Sequence, residues 1–332
     1  MDRSFPPYYL RFHCLAEACP DSCCKGWTVD IDTASAERYR TLPGPLGDRL
    51  RQVLHDADSG TVMTIENGRC PMWRQDGLCQ IQAQLGHNAL CQVCRQFPRI
   101  AHEYGSFEEL GLDLSCPEAA RLILTEPGTP FVTETVSGEA VPDHDPQTMD
   151  ILLQSRSAVL EFLSDERFTV PQILSVMLLY GYEVQTALNI GEAAALDPAQ
   201  TLAASGEYAG TADMQLLFDF FKGLEILTDQ WSALLDTGPQ LLQWTSVHRA
   251  LARYFINRYW LQSVWDYELV SRIKLTIAAC LLVGSMEGDP IDIAQLFSKE
   301  IESDPDNVEA ILDGAYTSPA LTDAALLGLL RS

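Results

Sequence analysis

Cys14-Leu15-Ala16-Glu17-Ala18-Cys19-Pro20-Asp21-Ser22-Cys23-Cys24 packs four cysteines into eleven residues. Such a stretch has neither the 3.6-residue apolar period of a helix nor the alternation of a strand. The pattern continues outward as Cys70-x8-Cys79, Cys91-x2-Cys94 and Cys116-Pro117-Glu118, so nine of ten cysteines fall between Cys14 and Cys116. Cysteines used only as small core residues would scatter. The clustering marks a module of irregular structure built around thiols.

The tenth, Cys280, sits in the apolar run Ile277-Ala278-Ala279-Cys280-Leu281-Leu282-Val283 and reads as a buried apolar residue. That run, Leu275 to Gly284, is too short to span a bilayer and is flanked by Lys274 and Glu287. The opening residues Met1 to Pro7 lack the apolar core of a secretory signal. A cytoplasmic protein without a membrane partner is expected. In a reducing compartment, clustered thiols point to metal or redox chemistry before disulfides.

With 332 residues, 47% hydrophobic and 20% charged, the chain is long enough to bury a core without a metal. Residues 1–125 hold 12 Lys and Arg against 16 Asp and Glu, and residues 126–332 hold 10 against 30. No basic footprint for duplex nucleic acid is present, so no nucleic-acid partner is expected. Arg249, Arg253, Arg258, Arg272 and Lys274 alternate with aromatic residues, and in so acidic a region they read as intramolecular pairs.

Within residues 1–125, Asp32 or Thr33 is expected to cap a helix through Tyr39 that Pro43-Gly44-Pro45 ends. Asn88 should start another, through Phe97, and Ser115-Cys116 should open one through Leu124. Residues 126–148 read as a linker or a small hairpin around Phe131 to Val141. From residue 149 to 332 the apolar spacing is helical. One helix covers Ile151 to Leu163, and another opens at Pro171 and runs through Leu188. A single helix is expected from Met214 to Leu235, stopping at Gly238-Pro239. A longer segment from Leu241 to Met286 should break near Trp265-Asp266-Tyr267 or at the Gly284 end, and short helices should follow Pro290, Pro305 and Pro319. No repeat of fixed period occurs. The expected fold is mainly α, with an irregular cysteine-rich metal-binding module at the N-terminus packed with an acidic all-helical domain.

Thiolates favour soft or borderline metals. Structural zinc announces itself with paired Cys-x2–4-Cys knuckles, and only Cys91-x2-Cys94 qualifies. Adjacent side chains such as Cys23 and Cys24 do not readily chelate one ion at tetrahedral angles. Irregular spacing therefore favours an iron–sulfur cluster such as [4Fe-4S], with zinc as the alternative. A radical-type Cys-x3-Cys-x2-Cys motif begins at Cys19 and Cys23 but meets Gly26 where its third cysteine belongs. A thioredoxin-like use of Cys91 and Cys94 lacks the surrounding βαβ pattern.

Four blocks in order resemble the flagellin lysine-N-methylase (FliB-type) family. They are Phe12-His13-Cys14 through Cys19, Cys23-Cys24 and Trp27 to Asp32; Gly68-Arg69-Cys70-Pro71 through Gly77-Leu78-Cys79; Cys94-Arg95-Gln96-Phe97-Pro98-Arg99; and Leu114-Ser115-Cys116-Pro117-Glu118-Ala119-Ala120-Arg121. A shorter part, Cys23-Cys24 through Cys70, Cys79 and Cys94-Arg95-Gln96-Phe97-Pro98, also resembles a broad family of zinc- or iron-chelating cysteine-cluster proteins. The first resemblance implies methyl transfer from S-adenosylmethionine to lysine side chains of flagellin, with an iron–sulfur centre required. It also implies metal ligands among Cys14, Cys19, Cys23, Cys24, Cys70, Cys79, Cys94 and Cys116. Cys91 is left over, because the motif hinges on the cysteine before Arg-x-Phe-Pro. No strand followed by a Gly-x-Gly loop is present to hold the donor's nucleoside. The competing reading is a non-catalytic zinc- or iron–sulfur-binding protein.

Further candidates each have a plainer alternative. Asp30 and Asp32 could take a proton from lysine, or simply cap and face solvent. Tyr8, Tyr9 and Trp27 could wall a cation pocket, or pack. Arg95, Arg99 and Arg121 could offset cluster charge or bind a carboxylate. His13 and His87 could replace a thiolate, or be structural.

Overall fold

The computed structural model describes the chain except residues 24–27, 58–59, 67, 127, 138–140, 142–143, 192–194 and 207–211. The fold is mainly helical, with seven short strands among the described residues: β1 (Asp2–Phe5), β2 (Val29–Ile31), β3 (Leu54–Ala57), β4 (Gly60–Met63), β5 (Arg99–Glu103), β6 (Phe107–Leu112) and β7 (Val132–Thr135).

One sheet has the order β5-β6-β1-β7. β1 runs parallel to β6 and antiparallel to β7, so the first residues of the chain are tied to two distant segments. In the segment expected to be a linker or small hairpin, Val132–Thr135 forms β7 and pairs with β1, with Phe5 opposite Val132; residues 138–140 of that span lie outside the described residues. A second sheet, β2-β4-β3, is antiparallel throughout.

Buried apolar residues fall into two clusters. The smaller lies within residues 29–94 and includes Tyr39, Leu50, Met63, Met72 and the cysteines Cys70 and Cys91. The larger holds the C-terminal helices together with Phe12, Tyr104, Leu112, Leu114 and the helix Pro117–Leu124. At its centre every residue of the helix Leu269–Ser285 is buried, including Cys280. Among the described residues no helix is long and apolar enough to cross a membrane.

Local chemistry explains where the helices differ from expectation. Pro43 to Pro45 end the helix Thr33–Thr41 as predicted, but Pro45 also sits in the first turn of a new helix, Gly44–Val53, where its missing N–H costs nothing. Residues His87–Ala89 form a single 3-10 turn, and the helix carrying Cys94 starts only at Gln92. The span Met214 to Leu235 is two helices, Met214–Lys222 and Asp229–Thr237. Thr228 caps the second by accepting from the Trp231 amide, while the buried Glu300 carboxylate accepts from the amides of Leu227 and Thr228. These side chains satisfy backbone donors that a continuous helix would have paired itself. The break near Trp265 to Tyr267 is present: Tyr267 adopts φ +61° between the helices Ser263–Asp266 and Leu269–Ser285.

Candidate functional site

Five cysteines line one cavity of about 100 Å³ between the small lobe and the helical core: Cys14, Cys19, Cys23, Cys94 and Cys116. Cys14 and Cys19 flank the 3-10 turn Ala16–Ala18, whose first amide donates to the Cys14 sulfur at 3.4 Å. Cys94 lies on the helix Gln92–Gln96, and Cys116 is the N-cap of the helix Pro117–Leu124. Pro117 in the first turn favours a helix start there, and the amides of Ala119 and Glu118 reach the Cys116 sulfur.

Cys70 and Cys79 do not line this cavity, but Cys79 lies within electrostatic reach of Cys23 and Cys70. A turn at Asp76-Gly77, with Gly77 at φ +81°, folds the Cys70–Cys79 loop back on itself; the Trp73 amide bonds the Cys70 carbonyl at 2.9 Å, and Trp73 pairs with Cys79. Cys70 is buried and its thiol contacts the Met63 sulfur at 3.6 Å.

The thiols sense one another electrostatically. Burial pushes Cys116 up to about 12, and the charges of Cys19 and Cys14 add to that. Burial also raises Cys19, reinforced by Cys14, Asp21 and Cys23, and raises Cys79, reinforced by Cys70 and Cys23. A hydrogen bond from the Cys94 thiol pulls Cys91 down to about 7, and the Cys94 proton is correspondingly harder to remove. Cys23 thus lies within electrostatic reach of Cys19, Cys79 and Cys94 alike. Cys91, which the sequence motif leaves over, lies beside Cys94; the Cys-x2-Cys spacing was the signal. Cys24 and Trp27 lie outside the described residues.

Thiolates at this density suit a soft metal in chemistry. In position they are looser: among the described residues no three His, Cys, Asp or Glu side chains stand close enough to hold a metal ion. A single zinc ion needs its ligand sulfurs at about 2.3 Å from the metal. A polynuclear cluster interposes its own atoms between the protein ligands and fits a wider ring of thiols.

The cavity also receives a cation that the sequence reading missed. Lys299, buried on the helix Pro290–Ile301, borders the thiols and donates to Asp21 at 2.5 Å. One turn earlier on that helix, Gln295 donates to the Ser115 carbonyl. A helix nearly 300 residues into the chain therefore holds both cysteine loops. At the C-cap of that helix Glu302, its side chain enclosed, accepts from Tyr259 at 2.8 Å and pairs with Arg258 at 2.7 Å.

The other candidates take their plainer roles. Asp32 accepts from the Ser35 amide at 2.9 Å and the Gln92 amide at 2.7 Å; these bonds, the Gln92 one foremost, lower its pKa. Asp30 is exposed on β2. Arg121 forms a fork on Glu118 at 2.7 and 2.8 Å, and Arg99 stacks over Phe12 and Tyr9. Arg95 is exposed. His13 contacts the Arg11 carbonyl, whereas His87 borders the thiol cavity. Arg249 binds the carbonyls of Leu163 and Phe168, Arg272 pairs with Asp266, and Lys274 pairs with Asp323.

A larger cleft of about 520 Å³ opens elsewhere, between the four-stranded sheet and the helices Pro146–Leu163 and Ser246–Tyr259. Its wall holds a buried two-bond ion pair, Arg156 to Glu109 at 2.6 and 2.7 Å.

No protein-family model matches the chain, and no solved structure does. Among curated proteins it is 30% identical over 142 residues to a lysine-N-methylase of Salmonella typhimurium (strain LT2), a match covering 39% of this chain and 34% of that protein. A lysine-N-methylase of Salmonella choleraesuis matches to the same extent. The chain thus aligns with about a third of the length of these methylases. The flagellar biosynthetic protein FliU of Salmonella muenchen is 30% identical over 135 residues, which is 37% of this chain and 76% of FliU. With three quarters of FliU covered at that identity, the chain belongs to the FliB-type family of FliU and the lysine-N-methylases.

Proposed function

We propose that this protein is an S-adenosylmethionine-dependent lysine N-methyltransferase acting on flagellin, with a [4Fe-4S] cluster held by its cysteines. The observation that carries the metal part is the convergence of Cys14, Cys19, Cys23, Cys94 and Cys116 on one cavity, with Cys79 in electrostatic reach of Cys23 and Cys91 bonded to Cys94. The name lysine-N-methylase borne by two relatives supports the methyl-transfer part, and the flagellar name of FliU supports the flagellin part.

In the transfer, the lysine nitrogen attacks the methyl carbon of the donor's sulfonium. A C–N bond forms, the C–S bond breaks, and S-adenosylhomocysteine leaves. The nitrogen must first lose the proton it carries in water, where its pKa is about 10.4. Asp32 is poorly placed to take it, because both its oxygens serve backbone amides. When bound, the cluster would cross-link segments distant in sequence. The buried Lys299 ammonium would offset the charge of its thiolates.

Anaerobically purified protein should be brown and hold iron and sulfide in near-equal amounts. A colourless protein with zinc would overturn the cluster. Incubation with S-adenosylmethionine and flagellin should add methyl-sized mass increments to lysines. If cofactor is retained but the donor is neither bound nor consumed, the protein is a metal-binding one without this activity. Cys23→Ser should abolish cofactor retention, while Cys280→Ser, at a site buried among aliphatic residues, should leave it intact.

A further inference from the structure

The large cleft contains charges whose pairing is incomplete. Arg156 and Glu109 neutralise each other in its wall. Arg253 and Glu161, which also line it, have no oppositely charged side chain within ion-pair distance among the described residues. Arg253 is anchored all the same: one of its NH2 groups donates to Ser164 Oγ at 3.2 Å, and Ser164 in turn donates to the Leu160 carbonyl at 2.9 Å. Its guanidinium lies against Gly128 so closely that a Cβ there would stand 2.5 Å from Arg253 Cζ. Gly128 also has φ +84°, so both backbone and space call for glycine. A cation fixed by a hydroxyl and a glycine cradle, with most of its donors unused, is preorganised for an anion.

Glu161 stands three residues before Ser164 on the helix Pro146–Leu163, so the two share a face about 5–6 Å apart. The cleft therefore offers a cation and an anion one helical turn apart. Asn257, one turn after Arg253 on its own helix, adds a neutral amide, while Phe131, Leu153 and Leu160 supply apolar surface. A volume of about 520 Å³ falls within the ordinary range for small-molecule sites.

We propose that this cleft binds a small molecule through its α-amino-acid end, carboxylate on Arg253 and ammonium toward Glu161. Resting on the methyltransferase reading above, that molecule is the methyl donor, held by its methionine moiety with its nucleoside toward Phe131. The cleft and the thiol cavity flank opposite ends of the helix Pro117–Leu124. Cys116 caps one end, while Ile123 borders, with Gly128 and Arg253, a small pocket beside the cleft. Eight residues of helix separate them by about 12 Å. The donor is thus held apart from the cysteines.

Calorimetric titration of the full chain with S-adenosylhomocysteine tests this, with 5′-methylthioadenosine, which lacks the amino-acid end, as the second probe. Arg253→Met should weaken S-adenosylhomocysteine about ten- to a hundredfold and leave 5′-methylthioadenosine unchanged. Gly128→Ala, which displaces the guanidinium without removing it, should reproduce the loss in part if the arginine variant fails to fold. Cys280→Ser, buried in the helical core and lining neither cavity, should leave both affinities unaltered. Wild-type affinity in folded Arg253→Met and Gly128→Ala would overturn the inference while leaving the methyltransferase reading standing. Absence of S-adenosylhomocysteine binding to the wild-type chain would overturn both.

Discussion

The small cysteine-bearing core and the large helical core are built on opposite terms. The large one is sealed by long elements: Leu269–Ser285 is buried along its whole length, and Phe297 packs against Phe221, Trp231 and Phe255. The small one is made of strands of three or four residues and helices of at most ten, around Tyr39, Leu50 and Met72. A core that limited buries too little surface to be strongly stable alone, and small domains of this kind recruit metals or covalent links. The difference teaches which core is the less self-sufficient: the small one, which carries Cys70, Cys79, Cys91 and Cys94, whereas Cys116 packs against the large one.

The largest effect should come from breaking the helical core. Phe297→Ala removes a ring at the centre of the aromatic cluster and should cost about 3–5 kcal/mol, read as a lower midpoint in denaturant unfolding. Leu50→Ala should cost about 2–5 kcal/mol within the small lobe. Hydrogen exchange should then accelerate in Gly44–Val53 and stay slow in Leu269–Ser285. Equal acceleration in both helices would mean that the two cores unfold as one unit and would break the comparison.

Acid should separate the regions next. His248 is fully buried; its Nδ1 accepts from the Thr245 amide, which leaves the proton on Nε2 without a partner. Burial is the main cause that holds its pKa down to about 4. The unfolded histidine titrates near 6.5, so below that pH the unfolded chain binds a proton that the native one does not. Stability therefore falls as pH drops from about 6.5 to about 4, by roughly 3 kcal/mol for this one group, and then levels off. His102, also lowered to about 4 by burial, adds to the same slope from β5. In the small lobe, Asp32 is held below the ordinary carboxylate value, and its contribution is lost only in stronger acid, as pH falls through its native pKa. The pH-dependence of the unfolding midpoint should flatten in His248→Gln between pH 6.5 and 4. An unchanged slope would locate the acid sensitivity elsewhere.

The helical core was largely legible in the sequence, because apolar periodicity and capping residues are local signals. Pro171 opens Val170–Ile190 behind its Thr169–Gln172 capping box, and the prolines at 290 and 305 open helices as expected. In the sheet β5-β6-β1-β7 only β5 and β6 pair locally, as a hairpin; β1 was not legible as their partner, since it joins the first residues to segments more than a hundred positions away and no local pattern encodes a register at that range. The candidate site divides the same way. The cysteines were conspicuous, but Lys299 reaches them through a fold contact with Asp21, and nothing around Phe297-Ser298-Lys299 in the sequence marks it. Arg253 was visible only as one cation in a basic and aromatic run; the close approach of its guanidinium to Gly128 is a property of the folded chain.

Asp32 gives the smallest expected effect and the sharpest test of how the small lobe is joined. Its carboxylate links two helix starts, accepting from Ser35 in Thr33–Thr41 and from Gln92 in the helix that carries Cys94. Asp32→Ala leaves both amides without this acceptor and should cost about 1–2 kcal/mol, confined to the small lobe. Asp32→Asn retains one accepting oxygen and turns an NH2 toward the second amide, so it should fall between wild type and alanine. The direct reading is thiol reactivity in the metal-free chain. Cys91 and Cys94 should react faster with an alkylating reagent in Asp32→Ala, because the helix that positions them starts without its anchor, while Cys280 stays protected in the helical core. If Cys94 reactivity does not change, the Gln92 bond is incidental, and Asp32 caps only the helix that follows it.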